Sequence, residues 1–375
     1  MNTADRASHL AIAAKRFPFL GQTSAEDLRV LVRTELGHER VLDDFVSLGA
    51  IGTKAFAPRT ILHILSGNTP AAALQSLIRG LLIGSHNRCK IPSMGLPEVA
   101  QFQAALPPEL AARIEVSRDL PDAWLREADT FIVFGGDETI AHFRARATPR
   151  QTFIAHGHAL SFGVVFEDAD FASVAGAARD VSVFDQQGCL SPHVIYVRGD
   201  ARRYANRLAD EMQRFDAREP RGAISLSESN MIRALRDDLA FRAANDESIA
   251  LHASQGSTAW TVAYIEKPGF PHSPLNRCVF VKPLPANFVA ELSEVRDHLS
   301  CAGIWPPTLE NARSLAGVGV SRICPLGEMQ TPPWSWRQDG QLTLAPLIRW
   351  VTAETLEEGT PQSRIAVTLG ESPND

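Results

Sequence analysis

One cysteine in this chain stands where a thiol can act as a nucleophile. Cys189 follows the polar, glycine-containing turn Asp185-Gln186-Gln187-Gly188 and precedes Leu190-Ser191-Pro192. A helical pattern over residues 169–184 enters the turn, and a strand pattern over residues 193–197 leaves it. Such an element boundary exposes a side chain, and a nucleophilic thiolate needs access and a lowered pKa. By itself, a lone cysteine reads rather as a small buried hydrophobe.

Three other groups can do chemistry. Asn68, in Ser66-Gly67-Asn68-Thr69-Pro70, lies at a strand-to-helix turn, where its amide can donate to a developing oxyanion or cap the helix in an Asx-turn. Lys90, with Pro92-Ser93 after it, ends a short strand and reaches either a ribose or phosphate, or plain solvent. Phe134-Gly135-Gly136-Asp137 closes a strand and opens a helix, offering backbone N–H groups to a pyrophosphate, although a full G-x-G-x-x-G is absent.

The elements that must position these groups alternate. Residues 60–65 read as a buried strand, and Pro70 suits the first position of a helix. Leu74, Leu77, Ile78, Leu81 and Leu82 form the apolar stripe of a helix packed on a sheet, which Gly84 stops. Further strands are expected at 129–134, 162–166 and 277–281, and helices near 98–106 and over 201–215. The first sixty residues read as mostly helical, 216–248 as charged and loopy, 325–340 as an ordered loop, and 371–375 as frayed. Alternating strands and helices predict a mostly parallel α/β fold with ligands at the carboxyl ends of strands.

Composition narrows the class. The 375 residues are 45% hydrophobic and 21% charged, ordinary globular values, and the length suggests two or three domains. A net charge of -6 argues against a nucleic-acid surface. Five cysteines without C-x-x-C or zinc spacing argue against a disulfide framework or a structural metal. With no signal-peptide pattern and no apolar run of membrane-spanning length, a cytoplasmic protein is expected.

Taken together and in this order, the pieces resemble the aldehyde dehydrogenase superfamily, and more closely its acyl-CoA reductase (LuxC) branch, the fatty-acid reductases of bacterial luminescence. Ile64-Leu65-Ser66-Gly67-Asn68-Thr69-Pro70 is similar to that family's Gly-Asn turn, and residues 75–84 to the helix after it. Residues 90–93, Phe134-Gly135-Gly136-Asp137, the cysteine segment 181–192, and the late segments 276–281 and 322–340, with its Asp339-Gly340 pair, complete a resemblance running from about residue 45 to 352. It implies an aldehyde-dehydrogenase-like fold: a Rossmann-type cofactor domain over 1–160, a catalytic domain over 161–345, and a C-terminal segment, 346–375, that returns to the first domain or serves oligomerisation. It further implies that Cys189 attacks an acyl-CoA or other activated acyl donor, with Asn68 and the Cys189 backbone N–H holding the oxyanion. Hydride from a nicotinamide then reduces the acyl thioester to a thiohemiacetal, which collapses to aldehyde. Lys90, Ser93, Gly135, Gly136 and Asp137 would bind the cofactor. A homo-oligomer and an acyl-transferring protein partner are also implied.

Several positions depart from the family pattern. Oxidising aldehyde dehydrogenases carry a water-activating glutamate near the nucleophile, whereas Ala155-His156-Gly157-His158-Ala159-Leu160 has no carboxylate, which favours reduction over hydrolysis. His156 or His158 remains available as a base, and no third ligand nearby suggests a metal. The family's lysine is missing from that stretch. Ser93-Met94 stands where NAD-preferring enzymes place a glutamate, so NADPH is expected, with NADH the alternative. Asp137 beside a pyrophosphate is unfavourable, so a helix-capping role is open to it. Two rivals stay in view: an oxidising aldehyde dehydrogenase, and a non-reducing acyl-thioester carrier or binding subunit.

Overall fold

A computed structural model describes residues 1–48, 51–167 and 170–354. Two short strands, β1 (Val46–Leu48) and β2 (Ile51–Phe56), precede β3 (Thr60–Ile64), β4 (His86–Lys90), β5 (Ile114–Ser117), β6 (Thr130–Phe134) and β7 (Thr152–His156). The last five form a parallel sheet in the order β5-β4-β3-β6-β7. Helices cover both of its faces, so β3 and β6 are almost continuously buried rather than alternating. The helix Pro70–Leu82 starts on Pro70, buries Leu74, Leu77, Ile78, Leu81 and Leu82, and gives way to Gly84 at φ +92°. From β3 the chain passes to β4 on one side and only later reaches β6 on the other. The carboxyl ends of β3 and β6 therefore flank the topological switch point, where α/β sheets bind ligands.

The second sheet contains β8 (Leu160–Val165), β9 (Pro192–Val197), β10 (Ile249–Ala253), β11 (Thr261–Ile265), β12 (Cys278–Pro283), β13 (Leu299–Trp305) and β14 (Arg322–Pro325). Its order is β10-β11-β12-β9-β8-β13-β14, parallel except for the edge strand β10. Cys189 lies on the loop that feeds β9, at the leading edge of this sheet.

That loop has an unusual backbone. Phe184, Asp185 and Gln186 are all left-handed, at φ 55°, 51° and 63°. Left-handed geometry costs a non-glycine residue about 1 kcal/mol or more, so something must hold it. A second left-handed run, Leu275, Asn276 and Arg277, lies against it. Arg277 pairs with Asp185 at 2.8 Å and with Asp216 at 3.0 Å. The buried Gln186 amide donates to the carbonyls of Pro192 (2.8 Å) and Cys278 (2.7 Å) and accepts from the Cys278 N–H (2.7 Å). Gln187 donates to Asn276 at 2.9 Å.

The late loop ties the two halves together. The Asp180 carboxylate, on the helix Phe171–Ser182, accepts from the Gly327 and Met329 N–H groups. Arg322 donates to the Glu328 and Met329 carbonyls. Trp334 donates to Thr23 at 3.0 Å, and Glu35 accepts from the Thr343 and Leu344 N–H groups. Trp334, Leu344 and Leu347 are buried in the core formed by the first helices and the five-stranded sheet. The last described strand, β15 (Arg349–Ala353), pairs antiparallel with β2, and with β1 they make a third, three-stranded sheet.

Some elements depart from the sequence expectation. Within 216–248 stands an 18-residue helix, Leu226–Ala243, closed by a Ser225/Glu228 capping box. It buries only Ile232 and Leu239, so it offers no apolar stripe to read. β1 and β2 interrupt the first sixty residues, while β5, β7, β10, β11, β13 and β14 are additional strands. The expected fraying at 371–375 lies outside the described residues. Gln186→Ala would remove three buried hydrogen bonds, although the Cys278 carbonyl keeps the Ser273 hydroxyl and its N–H keeps the Leu275 carbonyl, and it is expected to lower the unfolding free energy by about 2 kcal/mol. Urea unfolding checks this, and a loss below about 1 kcal/mol would mean the amide is not the lock.

Candidate active site

Asn68, Gly135, Gly136 and Cys189 line one cleft of about 200 Å³, joined by Gln187, His156, His158, His193 and Asp339. The first three come from the carboxyl ends of β3 and β6, and Cys189 from the opposing edge of the second sheet. Lys90 and Ser93 lie one strand further out, at and beyond the end of β4, and are not among the residues lining this cleft.

Cys189 is exposed, while Cys89, Cys278, Cys301 and Cys324 are buried. Its carbonyl is held by the Ser161 hydroxyl at 2.8 Å. Although the residue as a whole is exposed, its thiol faces the cleft, where desolvation by the surrounding protein, and then the Asp339 carboxylate, push it up to about 12 against the pull of the Cys189 and Leu190 backbone N–H groups. The lowered pKa expected of a nucleophile is therefore not present in the resting protein. The thiol stays protonated near neutrality, and attack requires a base at the moment of reaction.

The Asn68 amide makes no hydrogen bond to the described residues. Thr69, not Asn68, is the N-cap of the following helix, and no side chain caps it. The Asx-turn reading is thus not what the turn does, and the amide is free to face the cleft. Gly67 permits a close approach: a Cβ there would lie 3.1 Å from Pro92 and 3.2 Å from the Met94 sulfur, so those side chains would have to give way. That contact packs the Asn68 turn against the loop carrying Ser93.

At the glycine turn the two residues differ. The Gly135 N–H is committed to the His156 carbonyl at 3.2 Å. Gly136 is open, since a Cβ there would meet nothing within 4 Å. Gly136 is itself the N-cap of the helix Asp137–Arg144, and no side chain makes a capping bond there. Asp137 instead sits in the first turn, where a negative charge suits the helix dipole. It lines a neighbouring cavity of about 450 Å³ with His158, Arg296, His298 and Asp339.

The structure adds Asp339 and His193, to which the sequence assigned no role, and gives partners to His156 and His158, the two candidate bases. Asp339, itself left-handed at φ 54°, meets His156 Nδ1 at 2.7 Å, and the His156 ring stacks on Phe134 with centroids 4.6 Å apart. The stretch around His156 has no carboxylate of its own, yet the late loop brings one to it. The Asp339-Gly340 pair was the visible signal, but nothing in the sequence pointed it at His156. His193 Nδ1 accepts from the Ser273 N–H at 3.2 Å, which leaves its ring proton on Nε2. Burial, then His158 and His272, hold His193 down to about 4, so it is a neutral donor. Burial, then His298 and His272, lower His158 as well. Among the described residues, no group of three or more His, Cys, Asp or Glu side chains is arranged to hold a metal ion.

Comparison with known proteins fits this geometry. A family model described as acyl-CoA reductase (LuxC) matches residues 5–350. The chain belongs to that family. Among its relatives, the long-chain acyl-protein thioester reductase of Aliivibrio fischeri is 26% identical over 351 residues, covering 86% of this chain and 70% of that one. The enzyme of the same name from Vibrio harveyi is 24% identical over 345 residues, with the same coverage of 86% and 70%. Aldehyde dehydrogenase 21 from Physcomitrella patens matches with a TM-score of 0.66 at 13% identity, over 94% of this chain and 86% of that one. Aldehyde dehydrogenase C from Pseudomonas syringae, solved with NAD+ and octanal, matches at 0.63 and 15% identity, over 93% and 80%. These likenesses establish the aldehyde-dehydrogenase fold for this LuxC-family chain. Among the described residues, no helix is long and apolar enough to cross a membrane.

The thiol's environment has a direct consequence. The ultraviolet thiolate absorbance that distinguishes wild type from Cys189→Ser is expected to stay flat until about pH 10 and to rise beyond it. A rise centred near pH 7 would show a pre-ionised cysteine instead.

Proposed function

We propose that this LuxC-family protein reduces an activated long-chain acyl group to the fatty aldehyde, through a thioester on Cys189 and with NADPH as reductant. The observation that carries the reading is the meeting of Cys189 and the uncommitted Asn68 amide in one cleft, across from the switch point of a dinucleotide-type sheet. Residues 1–160 would hold the nicotinamide cofactor, residues 161–345 would carry the thiol, and the 346–375 segment would return to the first part through β15 or serve contacts between subunits. The acyl donor would be an acyl-CoA or an acylated protein partner, in keeping with relatives that are named long-chain acyl-protein thioester reductases.

Each residue has a task. Cys189 Sγ bonds to the thioester carbonyl carbon and expels the donor thiol. Asn68 and the Cys189 N–H donate to the oxyanion, and since such donors act on charge that develops only in the transition state, they raise the rate more than they tighten binding. The nicotinamide supplies the hydride that turns the acyl group into an aldehyde. In this reading the open approach at Gly136 would admit a pyrophosphate, and Lys90 and Ser93, at and beyond the end of β4, would contact the adenosine ribose.

A charge argument favours the 2′-phosphate. No acid stands at Ser93 or Met94, and Arg118 reaches the same loop, since a Cβ at Gly95 would lie 3.3 Å from its guanidinium. NADPH is therefore preferred, with NADH the weaker substrate.

The test is NADPH oxidation with a panel of acyl-CoA thioesters, with aldehyde measured beside it. Cys189→Ala is expected to abolish both, and Asn68→Ala to lower kcat about 10²–10³-fold. Arg118→Ala is expected to raise KM for NADPH about tenfold and leave that for NADH unchanged. Acid formation from aldehyde with the oxidised cofactor and no CoA would favour the oxidising reading. Acylation of Cys189 without cofactor binding would favour the carrier reading.

A further inference from the structure

We propose that His156 is the base that accepts the Cys189 proton during acylation, with Asp339 as its positioning residue; this rests on the thioester reading above. His156 and Cys189 face the same cleft and reach it from opposite sheets. An ionised carboxylate only accepts, so the 2.7 Å contact places the ring proton on Nδ1, donating to Asp339 Oδ2. The lone pair of Nε2 is then left unprotonated. The stacking on Phe134 fixes the plane of the ring, so the imidazole has one orientation rather than many.

The need for a base is set by the thiol itself, which the desolvation inside the cleft and the Asp339 charge push upward. The other histidines in the cleft are less suited. His193 already spends its acceptor nitrogen on the Ser273 N–H, so it can donate but not take a proton there. His158 has no hydrogen-bonded carboxylate among the described residues, and burial, then the repulsion of His298 and His272, outweigh the Asp137 charge and disfavour its protonated form. The pair has further support behind it. Arg79, on the helix Pro70–Leu82, is only 7% exposed, and its Nε has no hydrogen-bond partner. It lines a small cavity of about 60 Å³ together with Ser76, His156 and Asp339. Its Nη1 donates to Gln338, next to Asp339, at 3.4 Å, so the helix buttresses the segment that carries the carboxylate. Among the described residues, the charged or titratable groups around His156 are thus Asp339 from the late loop, Arg79 from the helix, His158 beyond the end of β7 with Asp137 beside it, His193 on β9, and Cys189 opposite.

The step balances without an external reagent. Cys189 Sγ–H passes its proton to His156 Nε2 as Sγ bonds to the carbonyl carbon of the donor thioester. The oxyanion collapses, the bond from that carbon to the donor sulfur breaks, and the departing thiolate takes the proton back from Nε2. One thioester replaces another, and nothing is oxidised or reduced.

The test uses the acylation half-reaction alone, with no nicotinamide present. The full-length protein is mixed with tetradecanoyl-CoA, and acyl-Cys189 is followed by mass spectrometry across a range of pH. His156→Gln is expected to slow acylation about 10²-fold or more near neutrality, and Asp339→Asn about tenfold, since a mis-set tautomer still leaves an imidazole. Both deficits should narrow as pH rises, because the thiol then ionises without help. If His156→Gln folds poorly, as thermal unfolding would reveal, the Asp339→Asn profile carries the test, since that carboxylate is partly exposed. Wild-type rates in both variants, or slowing by one constant factor at every pH, would overturn the proposal and leave the pair a structural clamp. A wild type that never acylates at Cys189 would overturn the thioester reading beneath it, and the proposal with it.

Discussion

The contact between two left-handed backbone runs governs the placement of the nucleophile. Phe184, Asp185 and Gln186 would not hold their geometry alone, and neither would Leu275, Asn276 and Arg277. The Asp185–Arg277 ion pair and the triply bonded Gln186 amide make each run the template for the other. Arg277 is buried against two carboxylates, Asp185 and Asp216, so its desolvation is offset by charge-assisted hydrogen bonds. Gly188 and Cys189 follow directly, and their position is inherited from that lock rather than from the strand they precede.

Two sheets then share one cleft by presenting opposite ends to it. The five-stranded sheet offers its carboxyl ends, where loops after β3 and β6 diverge and leave room. The seven-stranded sheet offers the leading edge of β9. The late loop closes the arrangement, held by Asp180 and Arg322 on one side and by Thr23 and Glu35 on the other. Burial raises the Asp180 carboxyl to about 7, against the two backbone N–H groups that pull it down, so this anchor is held by hydrogen bonding more than by charge.

The cleft is also electrostatically uneven. A protonated thiol, a neutral buried histidine and a carboxylate-bound histidine stand around one space. These are the conditions under which a thiol reacts only when a substrate is bound and a base is aligned, which protects it from adventitious chemistry. For an enzyme that must keep an acyl thioester intact until reduction, restraint at the nucleophile is as useful as reactivity.

Local patterning was enough to reveal the strand ends, the Pro70 start and apolar stripe of the first crossover helix, and the four segments bearing Asn68, Lys90, Gly136 and Cys189. Those features depend on neighbours a few residues apart, where periodicity and turn chemistry are decided. Their order along the chain also carried the family resemblance, and with it the fold. The helix Leu226–Ala243 escaped notice because its charged surface hides a two-residue core contact. β13 escaped because a short buried run has no periodicity of its own. The Asp339–His156 pair spans 183 positions, and the Asp185–Arg277 lock is non-local too. Whether Cys189 is ionised, whether Asn68 caps a helix or faces the cleft, and which histidine has a carboxylate all depend on burial and on partners far away in the chain. Only packing in three dimensions brings those partners within hydrogen-bonding distance.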